Sequence, residues 1–113
     1  MLSPKSHKGL EVYNLSKKLV IACYELTHEL PPEEKTNFTR YIRTAALYLL
    51  VNVAQGVFVN PKKRKKRIRA AKDSLIIIDA ASEILAELKM ATHEQIDVIT
   101  SYSSLCFQLL DEL

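Results

Sequence analysis

The sequence predicts an all-α protein, an antiparallel up-down-up-down bundle of four helices that forms one domain over residues 1–113. The chain has only two glycines and four prolines, whereas sheet-rich folds of this length need many more turn residues. Apolar side chains recur at three- and four-residue spacing along most of the chain, which is the period of an amphipathic helix. The interruptions between these stretches are short, so we expect consecutive helices to run antiparallel.

The first two helices are predicted over residues 9–30 and 32–56. Pro31 disfavours helical geometry at the residue before it, so it should end the first helix. Pro32 suits the first position of the second helix, and Gly56 is a plausible stop. The apolar face of the first helix comprises Val12, Leu15, Leu19, Ala22, Cys23, Leu26 and Leu30. That of the second comprises Phe38, Ile42, Ala45, Leu49 and Val53.

The third and fourth helices are predicted over residues 61–91 and 93–113. Asn60 is a candidate cap for the third helix. Thr92 and Gln95 have the spacing of a capping box, which should open the fourth. The apolar face of the third helix comprises Ile68, Ala71, Leu75, Ile78, Ser82, Leu85 and Leu88. That of the fourth comprises Ile96, Ile99, Tyr102, Cys106, Leu109 and Leu113.

Three features bear on the cellular compartment. Cys23 and Cys106 both lie inside apolar helical patterns, so we expect free, buried thiols and a reducing environment. No secretion signal is evident at the N-terminus. The most apolar run, residues 45–59, is shorter than the roughly 20 residues that a membrane span needs. The sequence therefore predicts a cytoplasmic protein.

No residue pattern points to catalysis. His7, His28 and His93 have no metal-ligand spacing. The two cysteines are far apart in the sequence, and a chain with two glycines cannot form a glycine-rich phosphate loop. An enzyme would need an inward cluster of polar residues, which the helical faces do not show. We expect a non-enzymatic protein without metal or cofactor.

Helices two and three carry more apolar residues than one core requires. Residues 45–51 and 75–78 are uninterrupted apolar runs, and at about 100° per residue such runs point in several directions. A wide core seam with a few tolerated surface residues is one explanation. A subunit interface is the other, and it predicts a homo-oligomer. The candidate interface residues are Leu47, Tyr48, Leu50, Val51, Ile76 and Ile77.

Positive charge is concentrated in the middle of the chain. Residues 35–72 contain eleven of the sixteen Lys and Arg residues and no Asp or Glu. Like charges at helical spacing repel, and cations oppose the dipole at a helix N-terminus. We therefore interpret the run as a surface for a polyanion, with nucleic acid the first candidate. The candidate nucleic-acid-binding residues are Arg40, Arg43, Lys62, Lys63, Arg64, Lys65, Lys66, Arg67, Arg69 and Lys72. A solvated helix start, an acidic protein and an acidic membrane surface are the alternatives.

Four short motifs occur in an order and spacing that suggest a family. They are Leu10-Glu11-Val12-Tyr13, Leu30-Pro31-Pro32-Glu33-Glu34, Ile42-Arg43-Thr44-Ala45-Ala46 and Asn52-Val53-Ala54-Gln55-Gly56. The chain resembles the four-helix-bundle family of proteins encoded within intervening sequences of bacterial large-subunit ribosomal RNA genes. It is also similar to the related Avd accessory proteins of diversity-generating retroelements.

The resemblance implies a bundle that assembles as a ring, typically of five subunits. For the Avd branch it implies binding to nucleic acid and to a reverse transcriptase. Our first hypothesis is thus a non-enzymatic oligomeric adaptor that binds RNA or DNA through the basic run. The second is an intervening-sequence-type bundle that acts as a protein-interaction module with an acidic protein partner.

Overall fold

The computed structural model describes residues 6–59 and 61–113, and this part of the chain contains four long helices and no strand. The helices are α1 (His7–His28), α2 (Phe38–Phe58), α3 (Arg64–Glu87) and α4 (His93–Asp111). Short 3-10 turns, Pro32–Glu34 and Pro61–Lys63, precede α2 and α3. The predicted all-α class is confirmed.

The helices form a square in which each packs against two neighbours. α1 contacts α2 and α4, and α3 contacts the same two helices. Four side-chain contacts each join the first half of a helix to the end of its neighbour. These contacts are Arg43–Thr27, Arg64–Gly56, Lys72–Asp111 and Gln95–Glu29. Adjacent helices are therefore antiparallel, in a bundle of 41 × 23 × 23 Å.

The core consists largely of the residues that the helical spacing selects. Its largest fully buried aliphatic side chains are Val12, Leu19, Ile42, Leu49, Val53, Ile78, Leu85, Ile99 and Leu110. Leu88, predicted in the core, is 55% exposed, because it lies beyond the last turn of α3. Ser16 and Ser103 are buried instead, since small side chains allow the helices to approach closely.

Two predicted boundaries of α2 are wrong. The residues after Pro31 form a 3-10 turn and a reversal, so the helix begins at Phe38 rather than at Pro32. At the other end, α2 continues through Gly56 to Phe58. Glycine costs a helix only about 1 kcal/mol relative to alanine. Because Val57, the next residue, is buried in the core, burial outweighs that cost.

The other helix ends also differ from expectation. α1 ends at His28, with Glu29 as its cap. α3 ends at Glu87 rather than near residue 91, and the chain reverses through Lys89, which has a φ of 59°. The capping role proposed for Asn60 falls outside the described residues. The capping box that opens α4 is confirmed. The backbone N–H of Gln95 donates to Thr92 Oγ1 (3.1 Å), and the backbone N–H of Thr92 donates to Gln95 Oε1 (2.9 Å).

Both thiols are free and buried, as predicted. Burial raises the pKa of Cys23 from 9.0 to about 12. Burial likewise raises the pKa of Cys106 to about 11, against a smaller lowering by its contact with Ser16 Oγ. Above pH 9 the unfolded chain therefore loses thiol protons that the folded chain keeps.

The free energy of unfolding should consequently fall as pH rises from 9 to 11. Each thiol contributes a slope that approaches about 1.4 kcal/mol per pH unit near pH 10 and fades below about pH 8. Urea unfolding at several pH values measures the slope. A variant with Cys23→Ala and Cys106→Ala is the control, and its slope should be shallower by about 2.7 kcal/mol per unit. Equal slopes for both proteins would show that the thiols ionise in the folded state.

Candidate nucleic-acid interface

The basic run forms the start of α3. The antiparallel packing places this start beside the last turn of α2 and the last turn of α4. Five of its cations are exposed to solvent, namely Lys62, Lys63, Lys65, Lys66 and Arg69. Lys62 has an interaction partner of its own. The other four are exposed cations on about two turns at one end of the bundle.

The remaining basic residues of the run are half-buried and bound within the chain. Arg64 donates from Nε to the Gly56 carbonyl (3.0 Å), and Arg67 donates to Asn52 Oδ1 (3.4 Å). Lys72 forms an ion pair with Asp111 and lies 5.1 Å from the centre of the Phe107 ring. These three side chains hold α3 against α2 and α4. The exposed cations therefore project from a helix that is held in place on two sides.

No residue within the first turn of α3 offsets the positive charge there. Lys63 occupies the N-cap position and makes no side-chain cap hydrogen bond, and the first turn contains no acidic residue. A cap and an acidic residue usually stabilise this end of a helix, where the dipole is positive. The amide groups and the cations thus add to one positive field that a bound anion would relieve.

Arg40 and Arg43 do not extend this surface. Arg43 donates from Nε to Thr27 Oγ1 (2.8 Å) and lies 4.5 Å from the centre of the Tyr24 ring. Both contacts are near the end of α1, at the opposite end of the bundle from the start of α3. Arg43 and Gly56 are thirteen residues apart, which is roughly 20 Å along a helix. The structure therefore places both arginines away from the basic start of α3, and their predicted role in nucleic-acid binding stays a prediction.

The candidate interface residues do not share one face. Leu47, Tyr48, Val51, Ile76 and Ile77 are exposed, and Leu50 is half-buried. The Asn52–Arg67 contact fixes which residues of α2 lie opposite which residues of α3. It places Tyr41 and Tyr48 level with the middle of α3. Helical spacing then puts Leu47 and Val51 on the outer side of α2.

An apolar seam between α2 and α3 is the more continuous surface. Ile77, Ile84 and Leu88 follow one another at seven- and four-residue spacing on the side of α3 that faces α2. Helical spacing from Asn52 places Tyr41 (67% exposed) and Tyr48 (60% exposed) on the side of α2 that faces α3. We refer to these five residues as the apolar seam. The sequence analysis did not select Tyr41, Ile84 and Leu88 as interface residues. Their exposure depends on which side of each helix packs against its neighbour, and spacing alone does not determine this.

The described residues include no group of three or more His, Cys, Asp or Glu side chains that could hold a metal ion. In the same part of the chain no helix combines the length and the apolar character that a membrane crossing requires.

An up-and-down four-helix bundle with one strongly basic end is the class of protein that this fold and surface define. The chain belongs to the family described as 23S rRNA-intervening sequence protein, whose family model matches residues 8–111. The match reaches from the first turn of α1 to the end of α4 and confirms the resemblance to this family, while the similarity to the Avd proteins stays a prediction. No curated protein sequence matches the chain.

Proposed function

We propose that this protein binds RNA or DNA through the start of α3 and acts by binding rather than by catalysis. The observation that carries the proposal is the cluster formed by Lys63, Lys65, Lys66 and Arg69, which are exposed beside an uncapped helix N-terminus. A phosphate backbone neutralises such a cluster and releases its condensed counterions, which favours binding without regard to sequence.

The cost of the cluster in the free protein supports this proposal. Neighbouring cations on α3 repel one another, and each opposes the helix dipole. The half-buried Arg64 and Arg67 add charge from the side that packs on α2. A solvated helix start is not stabilised by these cations, whereas each exposed cation can neutralise a phosphate of a polyanion.

The test is binding of a labelled single-stranded RNA and a labelled DNA duplex across a salt series. Four exposed cations predict that the logarithm of the binding constant falls with the logarithm of salt concentration with a slope of about −3 or steeper. Absence of binding at low salt would overturn the proposal and would leave an acidic protein partner as the better interpretation of the cluster.

We also propose that the chain forms a homo-oligomer through the apolar seam. Helical spacing and the Asn52–Arg67 contact place five exposed large apolar side chains along the boundary of two helices. Contiguous exposed patches of this kind mark contact sites in soluble proteins. Copies of the basic cluster on one assembly would multiply the affinity for a long polyanion.

Three finer predictions belong to the same proposal. Five subunits follow from the family resemblance, and a reverse transcriptase partner follows from the resemblance to the Avd branch. A cytoplasmic location accords with two buried thiols that form no disulfide.

A further inference from the structure

A cleft of about 400 Å³ lies between the start of α3 and the end of α4. Its apolar lining includes Ile68 and Leu110, and its basic lining consists of Arg64, Lys65 and Lys72. The volume falls within the range of small-molecule sites in proteins. The cleft opens beside the basic cluster, so it is part of the same surface.

One acidic residue, Asp111, also lines the cleft. Its carboxylate forms an ion pair with the Lys72 ammonium group. The carboxylate oxygen therefore occupies a position in which an anionic oxygen meets Lys72, close to Arg64 and Lys65. A phosphate oxygen would satisfy the same cation by the same charge-assisted hydrogen bond.

Asp111 gains little from its place on α4. It is the last residue of the helix, where the negative end of the dipole disfavours an acidic side chain. Its side chain is 56% exposed, against 26% for Lys72, and exposed ion pairs are weak. The pair therefore joins a disfavoured acidic helix end to a lysine on the third turn of α3.

The cationic groups of the cleft stay in place if Asp111 leaves. Lys72 lies over the Phe107 ring, which favours a cation at that position. Arg64 is fixed by the bond from Nε to Gly56. This bond uses one of the five N–H donors of a guanidinium group, and the donors on its two Nη atoms have no partner among the described residues.

We propose that the cleft is a phosphate subsite of the nucleic-acid interface, and that Asp111 occupies it until a backbone phosphate displaces the carboxylate from Lys72. This inference rests on the proposed function and adds a specific residue, Asp111, that weakens nucleic-acid binding. Asp111 is an intrachain competitor of the ligand, so removing its charge strengthens binding.

The experiment compares Asp111→Asn with Glu112→Gln, using the labelled RNA. Both variants remove one negative charge at the end of α4. Glu112 lines a different cleft, between α1 and α4. Relative to Glu112→Gln, Asp111→Asn should bind about two- to fivefold more tightly, which corresponds to the strength of an exposed ion pair. The two variants should have the same salt slope, because the phosphate contacts Lys72 in both complexes, whereas Lys72→Gln should make the slope shallower by about 0.7.

A second pair of variants tests the mechanism. In a Lys72→Gln background, Asp111→Asn should change the affinity no more than Glu112→Gln does, because the cation that both anions share is gone. Thermal unfolding of each variant checks that the bundle is intact.

Each contrary outcome has a separate meaning. If the wild type binds RNA but Asp111→Asn matches Glu112→Gln, the subsite is overturned while the proposed function stands. If neither the wild type nor Asp111→Asn binds, both are overturned. Inorganic phosphate that raises the unfolding temperature of Asp111→Asn, with an RNA affinity equal to that of Glu112→Gln, would make the cleft a free-phosphate site and overturn the assignment to the nucleic-acid backbone.

Discussion

Replacing Lys63, Lys65, Lys66 and Arg69 together by glutamine should weaken RNA and DNA binding by about 10²- to 10³-fold near 0.1 M salt. Each exposed cation that neutralises one phosphate contributes about 0.7 to 0.9 to the salt slope, so the slope should become shallower by about 3. A fluorescence-anisotropy titration over a salt series measures both quantities.

The matched control removes four positive charges elsewhere on the bundle, at Lys18, Lys35, Arg40 and Lys89. All four are exposed and lie outside α3. This variant should keep most of the affinity, because an exposed charge more than about 10 Å from the ligand is screened at this salt concentration. An equal loss in both variants would mean that net charge, rather than the basic cluster, drives binding.

The free energy of unfolding of the cluster variant should not fall, although its affinity for nucleic acid does. Removing cations from the first turns of α3 relieves their conflict with the helix dipole, worth about 0.3 to 1 kcal/mol per charge at an exposed site. The cluster variant should therefore unfold at the same or a higher denaturant concentration than the wild type. A loss of binding cannot then be attributed to unfolding.

Introducing glutamate at Tyr48 and Ile77 should dissociate the oligomer. Both residues belong to the apolar seam, and assembly would bury two unpaired carboxylates, each at a cost of several kcal/mol. Light scattering at micromolar concentration should give a multiple of 12.8 kDa for the wild type and 12.8 kDa for the variant.

The control for this variant places glutamate at Val98 and Leu105 on α4. These residues are 46% and 50% exposed and line clefts on the side of α1. The control should keep the mass of the wild type. A wild-type mass of one chain would contradict the homo-oligomer, whereas dissociation of the control alone would move the interface to α4.

The sequence alone determined the helices and most of the core. Burial of one apolar stripe per helix dominates the folding of a small bundle, so spacing sufficed to select Ile42, Leu49 and Ile78. The capping box of Thr92 and Gln95 is a local interaction and was likewise readable. Local signals were weaker at Gly56 and Pro32, because the packing of the neighbouring turns decides whether a helix continues there.

Only the tertiary structure could sort the charged and exposed residues. Eight basic residues look alike along the run, but packing binds Arg64, Arg67 and Lys72 within the chain and leaves the exposed cluster outside. The direction of α2 separates Arg40 and Arg43 from that cluster by the length of the helix. Asp111 meets Lys72 from 39 positions away, a pairing that no local pattern encodes because it arises from the antiparallel packing of α3 on α4.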